Sequence, residues 1–321
     1  MNLTRFIFSL LVAMITSHGA TAQTFPAKPI KIVVPFGAGG VADLTARTVA
    51  QKLSESLGQP VVIDNKPGAG GVVAGDTVAK AEPDGHTLLL MSNATAVSAG
   101  LFKSLPFDPV RDFAPVSTLG YFDIAIIVPA DSKFITLGEL LAHARANPGK
   151  LNLGSINIGS TQNLAAELFK TSSGADLQIV PFNGTPAVIT ALRGGQIDAA
   201  VEILGPVLPQ INAKALRALV VTGDKRAAVL PQVPTAKESG LPTFVASSWN
   251  ALAAPARTPK DVIARLNKDV VAALNAPDVK KKLQDLNVDA RSSSPEQAAE
   301  LLASEIKRWG EVITRAKIQK Q

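Results

Sequence analysis

Apolar and polar positions follow two rhythms along this chain. Residues 31–36 (KIVVPF) form a short apolar run, the mark of a strand buried on both faces. Ala46, Val49, Ala50, Leu53 and Leu57 then recur at helical spacing. Gly58 stops that helix and Pro60 bars its resumption. Residues 61–64 predict the next strand, 65–68 a turn, 72–81 a helix and 86–91 a third strand. Residues 124–128 predict another strand, followed by a helix that Thr136 caps and Glu139 completes as a capping box. Segments 151–154, 160–171, 178–182, 186–192, 197–204 and 218–222 continue the alternation, and 244–254 is a long extended stretch. Such alternation predicts an α/β protein with mostly parallel sheets covered by helices.

The tail is different. Thr258-Pro259 opens one helix with a cap and a first-turn proline, 277–286 predicts a second, and Ser294-Pro295-Glu296-Gln297 opens a third. With too few strands for a third domain, these helices are expected to return over the first sheet. That divides the chain into a discontinuous first lobe, 23–122 with 246–321, and a second lobe, 123–245. The crossings fall near Tyr121-Phe122 and residues 243–248.

The first 22 residues stand outside this pattern. Arg5 supplies a positive start, 6–15 is apolar except for Ser9, and Ala20-Thr21-Ala22 offers a cleavage site. This reads as a signal peptide, too short for a membrane span of ~20 residues. The alternatives are an anchor or a buried first helix. Removal after Ala22 leaves an exported, soluble chain in a periplasm-type compartment.

Composition narrows the functions. Hydrophobic residues make up 46% of the chain and aromatics only 5%, so aliphatic side chains must pack the cores. No cysteine is present, which excludes disulfides, thiol chemistry and cysteine-based metal sites. The formal charge of +6 is scattered, unlike the clustered charge and interleaved aromatics of a nucleic-acid reader. A mild positive field suits anionic solutes, and equally serves plain solubility.

Candidate chemistry centres on two strand-to-helix loops. Phe36-Gly37-Ala38-Gly39-Gly40 follows a buried strand and opens a helix. Glycines admit close backbone approach, and first-turn N–H groups at the positive helix end suit an anion. Asp43, in that first turn, either caps backbone donors or fixes a ligand group. The second loop, 154–161, ends in Gly159-Ser160-Thr161, whose hydroxyls can cap the helix or meet a ligand. Neither loop contains lysine or arginine, so the anion is expected to rest on backbone N–H groups and hydroxyls, with Arg47 the nearest cation. The run GAGGV at 37–41 recurs at 68–72, read as two turns that each need glycine.

Rival readings are thinner. Gly37-x-Gly39-x-x-Ala42 with Asp64 after the next strand fits a permissive dinucleotide fingerprint, and so an NAD-linked oxidoreductase. Pro35-Phe36 in the junction, the predicted export and the lack of a proton donor count against it. Only His86 and His143 remain in the mature chain, and there is no G-x-S-x-G or H-E-x-x-H. Asp198 and Glu202 fall on one strand face and could work as an acid–base pair. The plainer reading puts Asp198 at a turn and Glu202 near a cleft rim.

At this point the residues resemble a known family, the solute receptors of tripartite tricarboxylate transporters, often called Bug proteins. The resembling stretches are KPIKIVVPFGAGGVADLTAR (28–47), GQPVVIDNKPGAGG (58–71), AEPDGHTLLL (81–90), LPFDPVRDFAPVS (105–117), NPGKLNLGS (147–155), RGGQIDAA (193–200), LPQVPTAKESG (230–240) and RWGEVITRAKI (308–318). The resemblance implies a type II periplasmic-binding-protein fold, with a ligand cleft between two lobes. It implies a non-enzymatic receptor for a small carboxylate, amino acid or related anion. It also implies membrane transporter subunits as partners, a monomer, and no cofactor, metal or nucleic acid. A periplasmic enzyme on the same scaffold remains an alternative. The implied ligand-binding residues are Phe36, Gly37, Ala38, Gly39, Gly40 and Asp43, then Ser155, Gly159, Ser160 and Thr161. Asn163 stands where the family often has histidine. Phe182-Asn183-Gly184 occupies the family's P-Y-x-G wall with the tyrosine hydroxyl lost. Glu202, after the G-G-Q-x-D strand, could pair with an ammonium or repel a second carboxylate.

Overall fold

The computed structural model describes residues 25–315 and 318–321; the expected leader and its cleavage point lie outside the described residues. The chain opens with β1 (Ile30–Val34), α1 (Val41–Leu57), β2 (Val61–Asn65), a 3-10 turn (Ala69–Gly71), α2 (Val72–Ala79), β3 (Thr87–Ser92) and α3 (Asn93–Leu101). Its middle runs β4 (Phe113–Pro129), α4 (Leu137–Ala146), β5 (Asn152–Ile156), α5 (Thr161–Ser173), β6 (Gln178–Phe182), α6 (Thr185–Arg193), β7 (Ala199–Ile203), α7 (Leu204–Asn212) and β8 (Leu216–Val221). It closes with β9 (Ser247–Pro255), α8 (Lys260–Asn275), α9 (Pro277–Asp285), β10 (Val288–Ala290) and α10 (Pro295–Arg315).

Local chemistry explains these elements. Helix α1 buries Ala46, Val49, Ala50, Leu53 and Leu57 on one face. It ends where Gly58 takes a left-handed conformation, which lets its N–H reach Ser54 O. Thr136 and Glu139 form the expected capping box of α4, and Ser294 with Gln297 does the same for α10. Thr258 does not cap α8: Pro259 occupies the cap position, and the Thr258 hydroxyl finds no partner among the described residues.

Two half-sheets make the two lobes. In the first, β1 lies parallel between β2 and β3, and β9 runs antiparallel between β3 and β4. In the second, β5 lies parallel between β6 and β7, and β4 runs antiparallel to β7 and β8. Strand β4 belongs to both: Phe113–Asp123 pairs with β9, and Ile124 onward pairs with β7 and β8. On the return, Ala246 N–H donates to Thr222 O, and the next residue, Ser247, pairs with Asp123. Helix α8 packs on α1 and β4, while α10 packs on α3 and β4 with Trp309 buried. The tail thus covers the first half-sheet.

Four elements depart from the sequence reading. Strand β4 begins eleven residues before the predicted 124–128, through a stretch where register shifts near Pro115 and Gly120 break the alternation. The sequence pattern predicts neither α3, α7 nor β10, and α7 carries Pro209 inside it. The two GAGGV copies also differ in backbone. Gly39 has φ 84 while Gly40 is extended at φ −81. In the second copy, Gly70 and Gly71 are both left-handed, at φ 60 and 92.

Candidate functional site

The carboxyl ends of β1 and β3 meet those of β5 and β7 across a cleft between the lobes. Phe36, Gly37, Gly40, Val41 and Ala42 line it from the first loop, and Ser92, Phe122, Ser248 and Asn250 from the strands behind. The second lobe contributes Ile156, Thr161, Gln162, Gly184, Thr185 and Ile203. The lobes touch across the cleft, with Thr161 Oγ1 of the second 2.9 Å from Ser248 Oγ of the first, so they are closed. Glycines permit the closure. A Cβ on Gly37 would stand 3.3 Å from Asn183 O, and one on Gly70 would stand 2.9 Å from Ile158 O. The second glycine run therefore serves lobe contact at the rim.

Each lobe offers a helix start built in the same way. In α1, left-handed Gly39 donates its N–H to Asp43 Oδ2 at 3.0 Å. In α5, left-handed Gly159 donates its N–H to Asn163 Oδ1 at 3.2 Å. The cap residues Gly40 and Ser160 share extended backbone angles, φ −81 and ψ 167 against φ −70 and ψ 161. Both braces fix the loop so that the helix end points into the cleft.

The outer partners differ. Arg47 binds the Asp43 carboxylate through Nε at 3.0 Å and also reaches Asn65, whose amide donates to Phe36 O. Burial by itself would raise the Asp43 pKa, but the bonds from Arg47, the Gly39 N–H and Asn65 hold it below the ordinary value. Asn163 instead donates to Ser155 Oγ at 3.3 Å, a neutral pair. At the caps, Ser160 Oγ accepts from Asn163 N–H, whereas Gly40 has no side chain to cap with. Among the described residues, the N–H groups of Gly40, Val41 and Ala42 have no protein acceptor.

Behind these ends lies a polar floor. Ser92 ends β3 and Ser248 lies near the start of β9, while Asn250, within β9, stands directly opposite Ser92 in the β3–β9 pair. Ser248 Oγ and Thr161 Oγ1 are 2.9 Å apart, a hydroxyl contact between lobes. Glu202 is fully buried below the second-lobe helices; Oε2 accepts from Thr185 Oγ1 at 3.0 Å, Gln162 Nε2 at 3.4 Å and Ile203 N–H at 3.3 Å. Burial pushes its carboxyl up to about 7, against the pull of those three donors.

The expected residues thus fall into groups. Phe36, Gly37, Gly40, Thr161 and Gly184 line the cleft, while Gly39, Asp43, Ser155, Gly159, Ser160 and Asn163 brace the two helix starts. Ala38 is not among the lining residues. Phe182 and Asn183 line a neighbouring hollow on the outer side of the lobe contact. Glu202 lies beneath the wall and not at a rim, and Asp198 is occupied elsewhere, accepting from Asn152 N–H at 2.8 Å. The two acids therefore form no catalytic pair. Arg47 does not line the cleft, nor does any lysine or arginine among the described residues. Asp64, the acid of the dinucleotide reading, is held by Lys31 and Lys66 at 3.7 Å each. No cluster of potential metal ligands occurs among the described residues. Sequence reasoning missed Ser92, Gln162, Thr185, Ser248 and Asn250. No local motif marks them; only the pairing of distant strand ends brings them together.

The chain is similar to known proteins in sequence and in fold. A family model described as tripartite tricarboxylate transporter family receptor matches residues 45–318. Protein BugT of Bordetella pertussis is 36% identical over 99% of this chain and 100% of its own. The periplasmic binding protein BugD superposes with a TM-score of 0.89 at 31% identity, covering 92% of this chain and 100% of its own. MatC from Rhodopseudomonas palustris, solved with bound malate, superposes with a TM-score of 0.86 at 33% identity, covering 90% of this chain and 100% of its own.

Proposed function

The chain belongs to the tripartite tricarboxylate transporter receptor family, and from that premise we propose that it is a periplasmic receptor that closes its lobes on one small carboxylate or related anion and performs no chemistry on it. The lobes are 23–122 with 246–321, and 123–245. The receptor works as a monomer and hands its solute to membrane subunits of a tripartite transporter. The leader-like residues 1–22 support the location.

One observation carries the reading of the site. The first turn of α1 presents N–H groups without protein acceptors to a closed cleft that no cationic side chain lines among the described residues. Such an end binds an anion through aligned donors and the helix dipole. A full counter-charge would hold it more strongly and release it less readily. Hydroxyls of Thr161 and Thr185 complete the wall from the other lobe.

A thermal-shift and calorimetric screen of mono- and dicarboxylates, amino acids and aromatic acids tests the proposal. A true solute at 100 times its Kd should add ~2.7 kcal/mol of stability. Stabilisation by NAD, or turnover of the bound acid, would overturn the receptor reading.

A further inference from the structure

We propose that Asn250 is the specificity-determining residue of the cleft, and that it selects a solute whose end remote from the carboxylate is an uncharged group able to donate and accept hydrogen bonds, such as a hydroxyl or a carboxamide. This rests on the carboxylate-receptor reading above and narrows it.

Asn250 lies on β9 facing the same side as Leu252 and Ala254, which pack in the core that contains α1. It is 1% exposed and lines the cleft. Among the described residues neither its Oδ1 nor its Nδ2 has a hydrogen-bond partner. A carboxamide buried with both ends unmet is costly, and a bound group that meets both ends recovers that cost. Water can do so in the unliganded protein; a solute that displaces it must match its bonding.

The surroundings say what the matching group is. Neither neighbouring serine offers a second unpartnered oxygen. Ser92 Oγ accepts from Ala94 N–H in the capping box of α3, and Ser248 Oγ is engaged with Thr161. That capping box engages the N–H groups of Ser92, Ala94 and Thr95, which leaves Asn93 as the one free N–H among the first three residues of α3, so its end is a weaker seat for an anion than that of α1. A second carboxylate at the floor would therefore meet no cation and a largely occupied helix end. An alkyl end would leave the Asn250 carboxamide unpaired. A neutral donor–acceptor group meets both of its atoms. The solute is then a monoanion, seated by its carboxylate at α1 and read at its far end by Asn250. This differs from the dicarboxylate malate held by MatC.

Isothermal titration of the whole mature chain tests this with unbranched four- and five-carbon acids. Their far ends are methyl, hydroxymethyl, carboxamide or a second carboxylate. The hydroxyl and carboxamide probes should bind at least about tenfold tighter than the methyl and dicarboxylate probes of the same length. Asn250→Leu, nearly equal in size, should bring the hydroxyl probe to within about threefold of the methyl probe. The ranking in the unaltered protein needs no variant and so tests the idea even if Asn250→Leu fails to fold. A dicarboxylate that binds tightest, or a folded Asn250→Leu that weakens all probes by one factor, overturns the inference while leaving the receptor reading intact. If none of the probes and no other carboxylate binds, both fail together.

Discussion

The starts of α1 and α5 are the same device made from different residues. Gly39 to Asp43 and Gly159 to Asn163 share only their leading glycine, yet they share its left-handed conformation, the extended cap and the bond back from the fifth residue. The differences lie in charge and in spare donors. The first lobe braces its loop with an ionised acid tied to Arg47, and leaves the cap without a side chain. The second uses a neutral amide, and Ser160 takes up one of the helix-end donors. The first helix end is therefore the stronger seat for an anion, and the second supplies hydroxyl and amide contacts from Thr161 and Gln162. In the proposed receptor, equivalent scaffolds take different shares of one binding task.

The largest test of this division is Gly39→Val. Gly39 sits at φ 84, and a Cβ there would stand 3.4 Å from Pro186 Cγ. A β-branched residue cannot take that conformation without strain, so the loop should lose its brace and the lobes their fit. Calorimetry should show binding weakened about a thousandfold, ~4 kcal/mol. Retention of affinity would mean that the anion does not sit at α1.

The two lobes also carry buried acids with opposite pH behaviour. Glu202 is raised in the folded state from 4.5 to about 7. Below pH 4.5 it is neutral in both states; between the two values the unfolded chain loses its proton first, so stability falls as pH rises and levels off above about 7. Chemical denaturation should show Glu202→Gln gaining on the unaltered protein by about 3 kcal/mol across that window. Parallel profiles would show that folding leaves the Glu202 pKa unchanged. Asp43 has the reverse sign. Its folded pKa lies below 3.8, so its contribution is present at neutral pH and lost as pH falls through the acid range. Asp43→Asn turns the first brace into a copy of the second. It should cost about 1 kcal/mol at pH 7, modest because Arg47 is half exposed, and progressively less as the pH falls through the acid range. The smallest effect expected is on binding by Arg47→Ala. Its guanidinium supports the brace from outside the cleft, so Kd should change by less than about tenfold, ~1.4 kcal/mol.

How much of this was legible in the sequence depends on how local each feature is. The glycine loops announce themselves because strand, turn residues and helix pattern are contiguous. Their braces were only half visible: Asp43 reads as a first-turn acid, but Asn163 matches it only once the backbone is seen. The floor could not be read at all. Ser92 and Asn250 lie far apart in sequence and look like ordinary strand residues until β3 and β9 pair. Likewise Asn93 donates to Ser247 O across 154 positions. The first half of β4 escaped because Pro115 and Gly120 disrupt the period-two signal, and α7 because Gly205-Pro206 and Pro209 imitate a loop.

The placement of β9 has a consequence for the order in which the molecule can assemble. A chain is made from its amino end, yet β9 lies between β3 and β4, so the outer lobe has a gap in its sheet until residue 255 has been made. The inner lobe, from Ile124 to Val221, is continuous and has all its strands well before that. It should gain protease protection first in chains halted at increasing lengths; protection of β1–β3 before β9 is available would contradict this. Synthesis and folding thus run in different orders, and the half that carries the proposed anion seat at α1 is the last to close.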